Sequence, residues 1–174
     1  MHHLSPQIDP LMPALALNPD FPDESRVWIY VCNRELDPTE RAEADQEISR
    51  FVQKWTAHNQ ALHAQHEFVT NRILILMADE TQAGASGCAI DKSVHFLESL
   101  GGRLGLDFFD RLTWIWIGET GAYEFGSKEA FKAELKRQKL ASDPLVVNTL
   151  ALTKGQLAET WLTPLSKSWH KKLL

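Results

Sequence analysis

The 174-residue chain has only two cysteines, Cys32 and Cys88. That number excludes a disulfide framework and a metal site built from cysteine alone, and it favours a cytoplasmic setting. Long hydrophobic runs are also missing. A membrane-spanning helix needs roughly 18 consecutive apolar residues, whereas the longest candidate, "RILILM" from Arg72, has the length of a strand. Basic charge is in deficit, with 18 Lys and Arg against 23 Asp and Glu and a formal charge of -5. Binding to nucleic acid or to an anionic membrane requires a surplus of bases to neutralise phosphate, so neither partner is expected. The first 25 residues contain no Lys or Arg and do not read as a signal peptide. Internal repeats and low-complexity tracts are absent.

With 44% hydrophobic and 24% charged residues, the composition predicts a soluble globular protein long enough for a full core. Five of the eight prolines fall in residues 1–25, which prevents a continuous helix there. This stretch reads as a proline-rich arm whose Leu11, Met12, Leu15, Leu17 and Phe21 are available to dock on an apolar surface or a neighbouring subunit. Residues 26–174 read as a single α+β domain.

The β-branched and aromatic "RVWIYVC" predicts a first strand. "DPTE" then supplies a capping box, with Asp37 as acceptor, Pro38 at the first helical position and Glu40 three residues after the cap. In the helix that follows, Ala44, Ile48, Phe51, Val52 and Trp55 share one face. "ALHAQHEFV" alternates like a half-buried strand, Asn71 marks a turn, and "RILILMA" reads as a central strand. A second helix spans Ile90 to about Leu104. "RLTWIWIGETGAYEFG" reads as two strands, Ser127 as the cap of a third helix, "PLVVN" as a short strand and Thr153 as the start of a short helix. A last helical turn is expected after Ser166.

This order matches a ferredoxin-like split β-α-β core with a C-terminal strand and helix extension; an open α/β mixed sheet is the alternative. From it we expect the first and third strands to be parallel neighbours with their C-terminal ends together. Residues 32–35, "CNRE", would then face residues 79–88, "DETQAGASGC". Ligands favour such strand ends in the open-sheet alternative as well.

The loop at residues 79–93 is the candidate site. Gly84, Ser86 and Gly87 allow a tight turn into a helix start, where unsatisfied N–H groups attract anions; a strand end and a helix cap account equally for the same residues. Ser86 or Cys88 would cap the helix, with Asp91 in its first turn. Cys88 is the candidate nucleophile or redox thiol, activated by the helix dipole and by Lys92 or Arg34, or else a small buried apolar residue. Glu80 is the second candidate for chemistry. Asn33, Arg34, Asp79, Ser86, Gly87 and Lys92 would bind a small anionic ligand. A Cys32–Cys88 redox pair requires the two strand ends to meet. His63 and His66 point to opposite faces of a strand and make a poor joint metal site. "GAYEFGSK" imitates a phosphate loop but ends in Ser-Lys, where that loop needs Lys followed by Ser or Thr. No cofactor is called for.

"WIYVCNREL", "ADETQAGASGCAIDKSV", "FDRL" and "SWH" resemble a family of short Bacteroidota proteins often labelled "ABC transporter ATPase". The resemblance runs from Arg26 to the C-terminus and implies a bacterial protein, with Cys88 and its glycine-rich setting matching the family. It implies no defined activity, and the chain has no Walker A loop to support the ATPase label. Two functional classes follow. One is a protein with a small-anion or small-molecule site at residues 79–93, possessing a thiol that takes part. The other is a non-enzymatic interaction or dimerisation module using the arm, the terminal tryptophans and a strand edge.

Overall fold

The computed structural model describes residues 15–174; the part of the arm holding Leu11 and Met12 lies outside them. The chain is α+β, and the split β-α-β core follows from two reversals. β1 (Arg26–Val31) leads into α1 (Pro38–Lys54), whose start carries the expected capping box between Asp37 and Glu40. Seventeen residues of helix carry the chain roughly 25 Å back. A tight hairpin of β2 (Thr56–Ala57) and β3 (Gln60–Ala61), turning through left-handed His58 and Asn59, precedes β4 (His63–Thr70). β4 therefore runs parallel to β1. A turn at Asn71 and Arg72 reverses the chain into β5 (Ile73–Asp79), which slots between the two in the order β1-β5-β4.

That insertion corrects the expected direction of the central pair. β1 and β5 are antiparallel, with Arg26 opposite Ala78 and Val31 opposite Ile73. A strand entered by a hairpin from a neighbour parallel to β1 can only run the other way. The end of β1 thus meets the beginning of β5, and the open α/β sheet gives way to antiparallel ladders.

α2 (Gly87–Leu104) is capped by Ser86 and ends on left-handed Gly105. Asp91 lies beyond its first turn, which holds no acidic residue. One face of the first sheet packs on both helices, burying Ile48, Trp55, Leu74, Leu76, Leu97 and Leu100. The buried Trp55 indole N–H donates to the Ala89 carbonyl at 2.8 Å, which satisfies a group that would be costly to leave unpaired.

β6 (Trp114–Ile117) leaves this sheet, and among the described residues β1 is met on its outer side by isolated bridges alone, from Phe109 to Val31 and from Thr153 to Arg26. With β7 (Tyr123–Gly126), β8 (Leu145–Val147) and β9 (Leu162–Pro164) it forms a second antiparallel sheet, ordered β7-β6-β8-β9. Pro164 is accommodated because β9 is an edge strand. The alternation of "WIWI" sets the layers. Ile115 faces Val27, Ile73, Ile75 and Met77 of the first sheet, while Trp114 and Trp116 face Phe131 of α3 (Lys128–Lys136). The layers are helices, sheet, sheet and helix.

α4 (Lys154–Thr160) begins at Thr153, and Ser127 caps α3, as the sequence predicts. Of the final turns, Leu165–Lys167 has no side-chain cap and Trp169–Leu173 is capped by Ser168. Ser166 instead bonds Asp143 through its N–H at 2.8 Å and its hydroxyl at 2.6 Å. The described part of the arm docks on its own chain. Phe21 is 2% exposed, Leu15 and Leu17 join the inter-sheet core, and the buried Lys154 donates its Nζ to the Phe21 carbonyl.

Candidate functional site

The antiparallel central pair separates the predicted site into two halves. Arg26 and Val31 are five residues apart on β1, roughly 17 Å along a strand, and the two groups of residues flank opposite ends of it. Asn33 and Arg34 lie at the far end. The Asn33 N–H donates to the Asp107 carbonyl and its Oδ1 accepts from the Asp107 N–H, both at 2.9 Å. Arg34 pairs with both carboxylate oxygens of Glu40 and donates to the Leu104 carbonyl at 2.7 Å. Its charge serves the start of α1 and the end of α2, a full helix length from Glu80 and Cys88.

Asp79, Glu80, Ser86, Gly87, Cys88 and Lys92 do share the near end. Here the loop serves itself. Asp79 accepts the Thr81 N–H at 3.0 Å and lies 3.5 Å from His63 Nδ1; bonds from Thr81, and then His63, hold its carboxyl below the ordinary range. Glu80 accepts the Ala85 N–H at 2.7 Å and lies 3.9 Å from Arg26. Ser86 accepts the Ala89 N–H at 3.2 Å. An incoming anion would therefore meet two carboxylates. Cys88 and Lys92 are exposed on the outer side of the helix start.

Cys32 is fully buried at the other end of β1, and burial pushes its thiol up to about 12 despite nearby Arg72. The redox pair with Cys88 is thereby corrected: the strand ends that carry the two cysteines do not meet. His63 stacks on Phe21 while His66 bonds Asp45 at 2.9 Å, so the two do diverge. Among the described residues, no three His, Cys, Asp or Glu side chains converge as a metal-ligand set.

An apolar recess lies along the open edge of β1. It is a groove of about 480 Å³ between Ile90 and Val94 of α2 and the segment at residues 149–152, closed at one end by Phe108 and Phe109. Its floor is backbone. The Val27 N–H donates to the Leu152 carbonyl at 3.0 Å, and the Val31 carbonyl accepts the Asp110 N–H at 3.0 Å. Alternate residues of a strand turn their N–H and C=O the same way, so those of Ile29 also point outward. Among the described residues nothing bonds them on that side. Trp28, Ile29 and Tyr30 are accordingly half-buried.

The walls are apolar, and their charges divide unequally. Asp110 accepts from Leu112 and Thr113 and lies 3.7 Å from Arg72. Burial alone would raise its carboxyl, but the bonds from Thr113 and Leu112 bring it below the ordinary range. Arg111 is exposed and forms no ion pair or hydrogen bond among the described residues. Leu150 and Leu152 on the rim are 61% and 66% exposed. Trp169 lines the groove, and beside it His170 is buried with Nδ1 2.6 Å from Ser168 Oγ. Desolvation lowers this imidazole to about 4.

A second, more open hollow of about 540 Å³ lies over Arg72, Trp116 and Phe125, but its main polar groups are engaged. Arg72 donates to the Cys32 and Asn33 carbonyls at 2.7 and 3.0 Å, and Trp116 donates to Glu124 at 2.7 Å.

Sequence reasoning passed over Ile29, Arg111, Leu150 and Leu152. One signal was present: "TLALT" sets two leucines two residues apart between a strand and a helix cap, an alternation suited to lying beside an edge. No family model, curated protein or solved structure matches the chain.

Proposed function

We propose that this protein is a non-enzymatic binding module that takes an extended segment of a partner polypeptide along the open edge of β1. One observation carries the reading. Two segments of the chain already hydrogen-bond to this edge, at Val27 and at Val31, and between them Ile29 offers one outward N–H and C=O above an apolar groove. An extended peptide supplies the complementary backbone groups, and its side chains fill the groove walls, which is recognition by strand addition. Loop 79–93 lends the alternative, a small-anion site, less support because its own carboxylates and cap take up the donors.

The test is selection of random 12-residue peptides displayed on phage, followed by titration of enriched peptides into 15N-labelled protein. Bound peptides should shift the amides of residues 28–31 and 150–152. Ile29→Pro removes a single outward N–H, and prolines are tolerated on edge strands, so it should weaken binding about tenfold, the worth of one good hydrogen bond. Leu152→Asp, at an exposed position, should weaken it in the same direction and serves if the proline variant melts early. Peptides that shift only other surfaces, or a selection that enriches nothing, would overturn the reading.

A further inference from the structure

We propose that the occupant of the groove runs antiparallel to β1 and carries an acidic side chain at its amino-terminal end, read by Arg111. This rests on the strand-addition reading above and adds direction and charge to it.

Space sets the direction. From Val27 to Val31 is roughly 14 Å of strand; the Leu152 carbonyl takes the Val27 N–H and the Asp110 N–H takes the Val31 carbonyl, which leaves the outward Val27 C=O and both groups of Ile29 to an occupant. An antiparallel neighbour exchanges both hydrogen bonds with Ile29 through one residue, whereas a parallel neighbour needs two residues, one on either side. In so short a slot the antiparallel pair, whose bonds lie perpendicular to the strands rather than slanted, is the more stable arrangement per residue.

Pleating then assigns the side chains. The residue opposite Ile29 shares its face, toward Ala151. The residues on either side, opposite Tyr30 and Trp28, share the α2 face with Ile90 and Val94 and should be apolar. The residue before these meets Phe109, which bridges Val31, and must leave the strand line there. Antiparallel running makes this the amino-terminal end. Arg111, next to the Asp110 that closes the edge, is the unpaired charge in the groove lining, because Asp110 is held by Leu112, Thr113 and Arg72. The motif is an acidic residue followed by apolar, any and apolar residues.

Three peptides test it: acetyl-Gly-Asp-Val-Thr-Ile-Gly-amide, the same peptide with Lys for Asp, and the reversed order acetyl-Gly-Ile-Thr-Val-Asp-Gly-amide. Each is titrated into wild-type and Arg111→Glu protein by NMR. The first should bind wild type about fivefold more tightly than the second, the scale of one exposed ion pair, and Arg111→Glu should invert that order. Equal affinity of the first two, tighter binding of the reversed peptide, or no binding by any at millimolar concentration would overturn the proposal. Phage-selected peptides that occupy the groove without an acid would remove this inference and leave strand addition standing.

Discussion

Arg34 grips Glu40 at two points, Nη1 2.7 Å from one carboxylate oxygen and Nη2 2.8 Å from the other, and the same guanidinium reaches the Leu104 carbonyl. One side chain fastens the first turn of α1 to the last turn of α2, where helix carbonyls lack internal partners. Arg34→Ala should lower the melting temperature at pH 7 by a few degrees. Arg34→Lys should recover little of it, because an ammonium cannot form the fork. Circular dichroism melts decide both.

The same pair gives stability an acid limb. Hydrogen bonding to Arg34, and then to the Asp37 backbone, lowers the Glu40 carboxyl to about 2. A carboxylate depressed in the folded state binds protons more readily when unfolded. Its contribution is therefore complete above the ordinary value near 4.5 and is lost as pH falls toward 2. Urea midpoints measured from pH 5 to pH 2 should fall more gently in Glu40→Gln than in wild type; equal slopes would show that the pair carries no linkage.

His170 acts in a higher window. Its ring lies between Trp114 and Trp169, with centroids 4.7 and 3.6 Å away, and is 2% exposed. Burial holds its folded value near 4 against an ordinary 6.5, so the unfolded chain takes up the proton first. Stability should be level above pH 6.5 and decline between pH 6.5 and 4, by on the order of 3 kcal/mol in total. His170→Gln should flatten that decline whatever it does to stability at pH 7.

Adjacent glycines in α2 should respond with opposite signs. A Cβ at Gly101 would sit 2.6 Å from the Leu106 carbonyl oxygen and 3.5 Å from Phe108, whereas one at Gly102 would meet nothing within 4 Å. Gly102→Ala should stabilise the protein by about 0.5–1 kcal/mol through helix propensity. Gly101→Ala should destabilise it despite the same gain, because backbone must move. Chemical denaturation of the two variants checks the signs.

Thiol labelling should separate the cysteines. In native protein iodoacetamide should modify Cys88, which is exposed, and spare Cys32, which is buried with its thiol raised to about 12; both should react in urea. Mass spectrometry after mild oxidation should find no bond between the two.

Local rules were enough wherever the cause was local. The Asp37 and Glu40 capping box, the Ser127 and Thr153 caps and the apolar run of β5 all depend on residues within a few positions, and all occur. Direction was harder to read. Whether Arg34 and Glu80 share a strand end depends on how α1 and the turn at Asn71 reverse the chain, and neither residue carries a mark of it. The candidate site failed to assemble for that reason, although Asp79, Glu80, Ser86 and Cys88 do sit together. The β1 groove was hidden because an edge exists only by virtue of what does not pair with it. Trp28, Ile29 and Tyr30 read as strand, and only the departure of β6 into a second sheet left them uncovered.

Among the described residues every strand and helix begins at Arg26 or later, yet the described chain upstream of it is structural. Phe21 seals one end of the space between the sheets, its carbonyl receives Lys154, and the carbonyls of Ser25 and Asp23 receive the N–H groups that open α4. A recombinant product trimmed to its first strand would therefore keep all of these elements and still be missing a stopper. It would expose a sticky apolar mouth and strand an ammonium beside it. Self-association measured on such a fragment would report the cut, not the assembly of the intact protein.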